Sequence, residues 1–252
     1  VAIPFHDFPF GLRMKPSSTS ADVQQHLKTL ASPAVAMQQT GYFKTGPGQY
    51  GEGDVFIGIR VPVLRKTAKQ FQSLPLPQIT KLLRSKIHEE RLLALMILVS
   101  RFEKGDSDAR KEIYDLYLAN TEFVNNWDLV DSSAPGIVGA YLVDRSRAPL
   151  KKLAKSKSLW ERRIAIIATQ HFNRLGQIEA AIAISRLLLK DEHDLIHKAT
   201  GWMLREVGVK DRDALVQFLL EHGKEMPRTM LRYAIEHFSA EERKRWMARG
   251  QD

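Results

Sequence analysis

The chain contains no cysteine. That excludes disulfides, zinc–thiolate sites, iron–sulfur clusters and cysteine nucleophiles, and a reducing cytosol suits such a composition. Long apolar runs are also missing: the longest, LLALMILV at 92–99, falls well short of the roughly 20 residues of a membrane span. The opening residues show neither a basic start followed by an apolar stretch nor a small-residue cleavage pattern, so no secretory signal is expected. There is almost no alternating strand pattern, no G-x-S-x-G elbow, no Walker loop and no glycine-rich dinucleotide fingerprint. The expectation is a soluble cytoplasmic protein that works without a membrane.

What is present is charge and helix. Lys and Arg number 38 against 29 Asp and Glu, a net charge of +9, which favours a polyanionic partner. Residues 1–20 read as an irregular extension, and 21–252 as one helical domain interrupted by a Gly-rich loop at 45–58. From about residue 60 onward, apolar residues recur at helical spacing between short breaks at Gly, Pro, Asp and Ser. The spacing predicts helices over 63–73, 77–85, 88–104, 106–120, 135–144 and 149–156, then 159–175, 177–190, 194–207, 211–221, 227–238 and 240–249.

Basic residues open four of these segments, at Arg91, Arg163, Lys198 and Arg232, separated by 72, 35 and 34 residues. Halving the first interval lands on Trp127. A beat of about 35 residues fits an α-solenoid of stacked helix pairs, whose concave face would carry these positions in a row. Any all-helical chain with helices of ordinary length gives a looser version of the same beat.

The stretch NNWDLVDSSAP at 125–135 places an acidic pair beside an aromatic in this basic chain. On a helix, Trp127 and Asp131 share a face and Asp128 lies on its flank. Alternatively, Asp131 or Ser133 caps a helix starting near Pro135. The loop GYFKTGPGQYGEGDVFIGIR at 41–60 reads either as a mobile connection or as a segment that folds over a bound polymer. His193 and His197 have the i, i+4 spacing of a metal pair, but no glutamate or third ligand accompanies them, and a solvated helix face is the plainer reading. Trp202 at helical spacing reads first as core.

Taken together and in order, KTGPGQYGEGDVFIGIRVPVLRK (44–66), NNWDLVDSSAP, SLWERRIAI (158–166) and KATGWMLREVG (198–208) resemble the bacterial DNA alkylation-repair glycosylases of the AlkD type, over roughly residues 25–240. The resemblance implies an all-α fold, a curved α-solenoid of HEAT-like antiparallel helix pairs whose basic concave face holds duplex DNA. It implies excision of positively charged N3- and N7-alkylated purines by cleavage of the N-glycosidic bond, without flipping the base into a pocket. By motif, Asp131 corresponds to the catalytic aspartate, Trp127 and Trp202 to aromatics at the lesion's sugar, Arg163 to a backbone-contacting arginine and Tyr42 to a further lesion-side aromatic. Arg205, Lys198 and Arg91 are assigned with them to the DNA face. The expected partner is duplex DNA containing alkylated purines, met by a nucleoid-associated monomer with no obligate protein partner, and the chemistry calls for no metal or cofactor. The alternatives are a non-catalytic HEAT-like reader of distorted or branched DNA, or a protein-binding repeat scaffold.

Overall fold

A computed structural model describes residues 19–248; the N-terminal extension expected over 1–20 falls almost wholly outside them, and Thr19 and Ser20 already belong to the first helix and its cap. Among the described residues the chain is all-helical, and the single extended pairing is an isolated parallel bridge between Val55 and Ile87. The helices run in the order α1 Ser20–Leu30, α2 Pro33–Tyr42, α3 Val61–Gln70, α4 Leu76–Leu83, α5 His88–Lys104, α6 Ser107–Leu118 and α7 Trp127–Ala134. They continue with α8 Ala148–Ala154, α9 Leu159–Ile167, α10 Thr169–Arg174, α11 Glu179–Leu187, α12 Asp194–Lys210, α13 Arg212–His222, α14 Arg228–Ala234 and α15 Ala240–Ala248.

One row of helices organises the rest. α5 packs on α7, α7 on α9, α9 on α12 and α12 on α14, while α4, α8 and α13 back α5, α9 and α12 respectively. The middle of α5 and of α9 is apolar nearly all round, as in interior helices, while α7, α12 and α14 keep a polar face. In α5 the residues from Leu92 to Leu95, and then Ile97, Leu98 and Phe102, are buried, and α9 buries Ile164 to Ile167 in succession. α1 and α2 precede the region where periodicity is clear, yet both carry local start signals. Thr19 and Asp22 form a reciprocal capping box on α1, and Pro33 occupies the first turn of α2.

α7 departs from expectation in a way that matters for the site. The helix begins at Trp127 with Asn126 as its N-cap, and it does not stop at the serines. It runs on through Pro135 as a π turn over Pro135–Gly139. Proline has no N–H to give the ladder, and a wide turn with one extra residue is a known way for a helix to absorb that loss. Asp131 is thus the fifth residue of a helix and caps nothing. Ser133 Oγ is spent on Leu129 C=O at 2.5 Å and on Tyr117 Oη at 3.0 Å.

The Gly-rich loop is tied down along its second half, which overturns the reading of a mobile connection there. The buried Glu89 carboxylate accepts from the backbone N–H groups of Ile57, Gly58 and Ile59 at 2.8–3.2 Å, and Val55 C=O accepts from His88 N at 2.8 Å. Gly58 has φ +85°, and a Cβ there would lie 2.0 Å from Ser32 C=O, so only glycine lets the loop pass this close to the start of α2.

Candidate active site

Two aromatic side chains divide the site. Tyr42, at the end of α2, meets Trp127, at the start of α7, edge-on with ring centroids 5.9 Å apart. Phe43 stacks on Trp127 at 5.3 Å and is itself buried, so the indole is braced from behind. To one side of the pair lies a cavity of about 340 Å³ lined by Tyr50, Arg163, Lys198, Trp202 and Tyr233. To the other lies a cavity of about 930 Å³ that includes Asp128, Asp131 and Ser132 from α7, Gln38 and Gln39 from α2, Arg60 at the N-cap of α3 and Arg65 within it.

Asp131 is gripped by Arg163 from the neighbouring row helix. Arg163 Nε donates to Oδ1 at 2.9 Å and Nη2 to Oδ2 at 2.8 Å, a planar fork on a carboxylate. Nη1 donates to Leu195 C=O at 2.6 Å, which fixes the guanidinium from α12. Burial pushes the Asp131 carboxyl above its ordinary value; Arg163 opposes that shift, and the nearby Asp128 charge adds to it. Each carboxylate oxygen keeps lone-pair capacity beyond the fork, so Asp131 can still face a cationic centre or accept a proton from water.

A second polar cluster sets the start of α7. His88, 1% exposed, lies between two aspartates: its Nδ1 is 3.0 Å from Asp54 Oδ2 and its Nε2 2.8 Å from Asp128 Oδ2. Asp54 also accepts from Arg91 and, at 2.9 Å, from Asn126 Nδ2. Burial opposes charge on the imidazole, and the hydrogen bonds to Asp128 and Asp54 outweigh it, so His88 is raised above its ordinary 6.5. Burial likewise opposes charge on Asp54, but the His88 hydrogen bond and the Arg91 charge win and hold it below 3.8. The cluster pins the Gly-rich loop, the head of α5 and the N-cap of α7 to one another, and hence orients Trp127.

Three of the residues expected at the site from sequence therefore meet Asp131: Trp127 and Tyr42 along one cavity and Arg163 through the fork. Trp202 lines the other cavity with Arg163 and the same aromatic pair. Arg163 differs in task, since its guanidinium is buried against Asp131 and a carbonyl, and it positions the carboxylate where a phosphate contact was expected. Trp202 is half-buried and donates Nε1–H to Glu206 at 3.1 Å, so it serves the cavity wall as well as the core. Lys198 lines the same cavity, paired with Asp194 at 2.7 Å. Arg205 lines a separate cavity with Arg212 and Phe238 and pairs with Glu236. Arg91 is a correction: at 3% exposure it bonds Asp54 and Ser85 C=O and presents nothing to DNA. His193 caps α12 by accepting from Leu195 N at 3.1 Å, and no metal-binding cluster occurs among the described residues.

The beat of basic residues has a sharper form in three dimensions. Asp131, Arg163, Lys198 and Arg232 are each the fifth residue of a row helix, α7, α9, α12 and α14. The slot assigned by halving to Trp127 belongs to Asp131. Asp54, His88, Tyr50 and Tyr233 went unnoticed in the sequence; the run HEER opening a helix otherwise apolar was the available signal for His88.

The fold and site define an all-helical protein with a fork-held carboxylate among aromatic walls in a basic chain. A family of DNA alkylation repair enzymes matches residues 23–238, and the chain belongs to that family. Among solved structures, a predicted DNA alkylation repair enzyme from Enterococcus faecalis shares the fold, with a TM-score of 0.64 at 15% identity over 83% of this chain and 97% of that one. No curated protein sequence matches the chain.

Proposed function

We propose that this member of the family is a DNA glycosylase that removes cationic N3- and N7-alkylated purines from duplex DNA. The observation that carries the reading is Asp131, a carboxylate held by Arg163 beside Trp127 in a protein of net charge +9. An acidic spot weakens binding to phosphates, so affinity does not account for it. A purine alkylated at N3 or N7 already carries positive charge and is a good leaving group. As the C1′–N bond breaks, its electron pair passes to the purine and neutralises that charge, leaving the sugar as an oxocarbenium-like cation.

Asp131 opposes the developing charge on the sugar and takes a proton from the water that attacks C1′, yielding free base and an abasic site. The faces of Trp127 and Trp202 favour the same cationic centre, by about 0.5–2 kcal/mol each. Lys198 and the other exposed cations supply salt-sensitive phosphate contacts. In this reading the helix row forms a single curved solenoid of HEAT-like pairs over 21–252, bound to DNA as a monomer.

The test is release of 7-methylguanine and 3-methyladenine from alkylated duplex DNA by the parent chain and by Asp131→Asn, in metal-free buffer. The expected result is base release by the parent and a loss of roughly 10²-fold or more in a variant that still folds and binds DNA. Salt-sensitive binding with no release by either protein would instead mark a non-catalytic reader of DNA.

A further inference from the structure

The Gly-rich loop brings one side chain to the site that the excision chemistry above does not use. Tyr50, half-buried, lines the smaller cavity together with Trp127, Lys198, Trp202 and Tyr233. Its ring meets Trp160, at the start of α9, edge-on with centroids 6.2 Å apart, so it reaches from the loop to the row helix that carries Arg163. Resting on the glycosylase reading of Asp131, we propose that Tyr50 is a further positioning residue for excision: its hydroxyl fixes the indole of Trp127 at the sugar of a lesion whose base stays in the duplex stack.

Trp127 needs such a hold. It is the first residue of α7 and stands between two cavities, with Phe43 stacked behind it and Tyr42 at its edge. Both contacts act through ring surfaces and leave the polar edge of the indole free to turn. An indole N–H can only donate, and Tyr50 is the acceptor it meets; burial raises the Tyr50 phenol above its ordinary 10.0, while the hydrogen bond from Trp127 and the Lys198 charge oppose that rise. Tyr50 itself stands on a firm base. Gly51 N donates to Lys44 C=O at 3.2 Å, Gly46 N to Gln49 Oε1 at 3.0 Å and Gly48 N to Glu52 Oε2 at 2.9 Å, which closes the loop on itself. A Cβ at Gly51 would lie 2.4 Å from Phe43 C=O, so the backbone beside Tyr50 is pressed onto the residue that backs Trp127. Four residues after Tyr50, Asp54 is bonded to His88, Arg91 and Asn126. The loop is thus fixed on both sides of Tyr50, and a wall of the site misplaced by about 1 Å can cost on the order of 10²-fold in rate.

The test compares the full chain with Tyr50→Phe, which keeps the ring against Trp160 and loses only the hydroxyl. Single-turnover release of 7-methylguanine from alkylated duplex DNA is expected to slow by about tenfold, with duplex affinity held within about twofold and the urea midpoint close to the parent's. Acrylamide quenching of Trp127, taken as the difference between each chain and the same chain carrying Trp127→Phe, should rise in Tyr50→Phe, which a merely structural tyrosine would not bring about. Excision by Tyr50→Phe at the parent rate, or a rate loss matched by lost duplex affinity, overturns the assignment and leaves the glycosylase reading standing. Slower excision with unchanged quenching of Trp127 gives the hydroxyl another task and overturns it as well. If the parent itself releases no base, the glycosylase reading falls; a quenching change confined to Trp127 then still supports Tyr50 as the residue that holds the indole, and no change overturns that too.

Discussion

Arg163 holds both oxygens of Asp131 from the neighbouring helix, at 2.9 and 2.8 Å, and α12 in turn holds Arg163 through Leu195 C=O. Three successive row helices thus fix one carboxylate. Arg163→Ala removes the partner of a largely buried charge and is expected to cost about 3–5 kcal/mol of stability. Arg163→Lys keeps a charge but loses the planar fork, so base release should fall more than duplex affinity does. Denaturant unfolding and single-turnover excision, measured on both variants, check the two effects.

The pH profile of excision should carry an acidic limb set by Asp131. In the proposed mechanism the carboxylate is the working form, and burial raises its pKa above 3.8. Activity is therefore expected to fall with decreasing pH before an ordinary aspartate would protonate, and single-turnover rates across acidic pH check this. A limb within the ordinary aspartate range would assign it to another group.

His88 and Asp54 predict stability loss at opposite ends of the pH scale. His88 is raised above 6.5 in the folded chain, so its contribution is complete below 6.5 and disappears as pH climbs through the raised value. Asp54 is lowered below 3.8, so its contribution is present above 3.8 and is lost as pH falls through the lowered value. Urea unfolding at alkaline pH should show the first loss in the parent and not in a folded His88→Gln variant.

Two glycines of the same loop should respond differently to alanine. Gly58→Ala meets Ser32 C=O as well as a positive φ, and a loss of about 3 kcal/mol or more is expected. Gly48→Ala has φ +73° but nothing within 4 Å, so only the backbone strain, about 1 kcal/mol, should appear. Unfolding midpoints of the two variants give the comparison.

Helix α5 was readable from sequence to its end residues, His88–Lys104, because its apolar pattern is long and flanked by acidic and basic turns. The Asp131, Trp127 and Trp202 group was readable only through motif resemblance, because 71 residues separate Asp131 from Trp202 and spacing along a chain says nothing of contacts at that distance. Arg91 misled for a related reason. A cation at a repeated position marks a face of a helix, and only the fold reveals that Asp54, 37 residues earlier, has already claimed it. The His88 cluster was opaque in the same way, its partners lying 34 and 40 residues away on either side. Pro135 was taken as a boundary because proline usually is one, and the wide turn that carries the helix past it has no separate sequence mark.

That wide turn makes α7 one residue longer than its length along the axis requires. Each residue of a regular helix turns the chain by about 100°, and the wide turn over Pro135–Gly139 absorbs one such residue, so the helix keeps its register on both sides of it. Gly139, whose added Cβ would sit 2.3 Å from Ala168 C=O, leaves its own side of the helix no freedom to turn. Deleting one residue of the wide turn would close it to a regular one and leave Asp131 facing Arg163. When relatives of this chain are aligned, a gap of a single residue just after the SSAP sequence is thus a wide turn closed to a regular one, with the helix on both sides in the same register, and should not be scored as a loop-length difference.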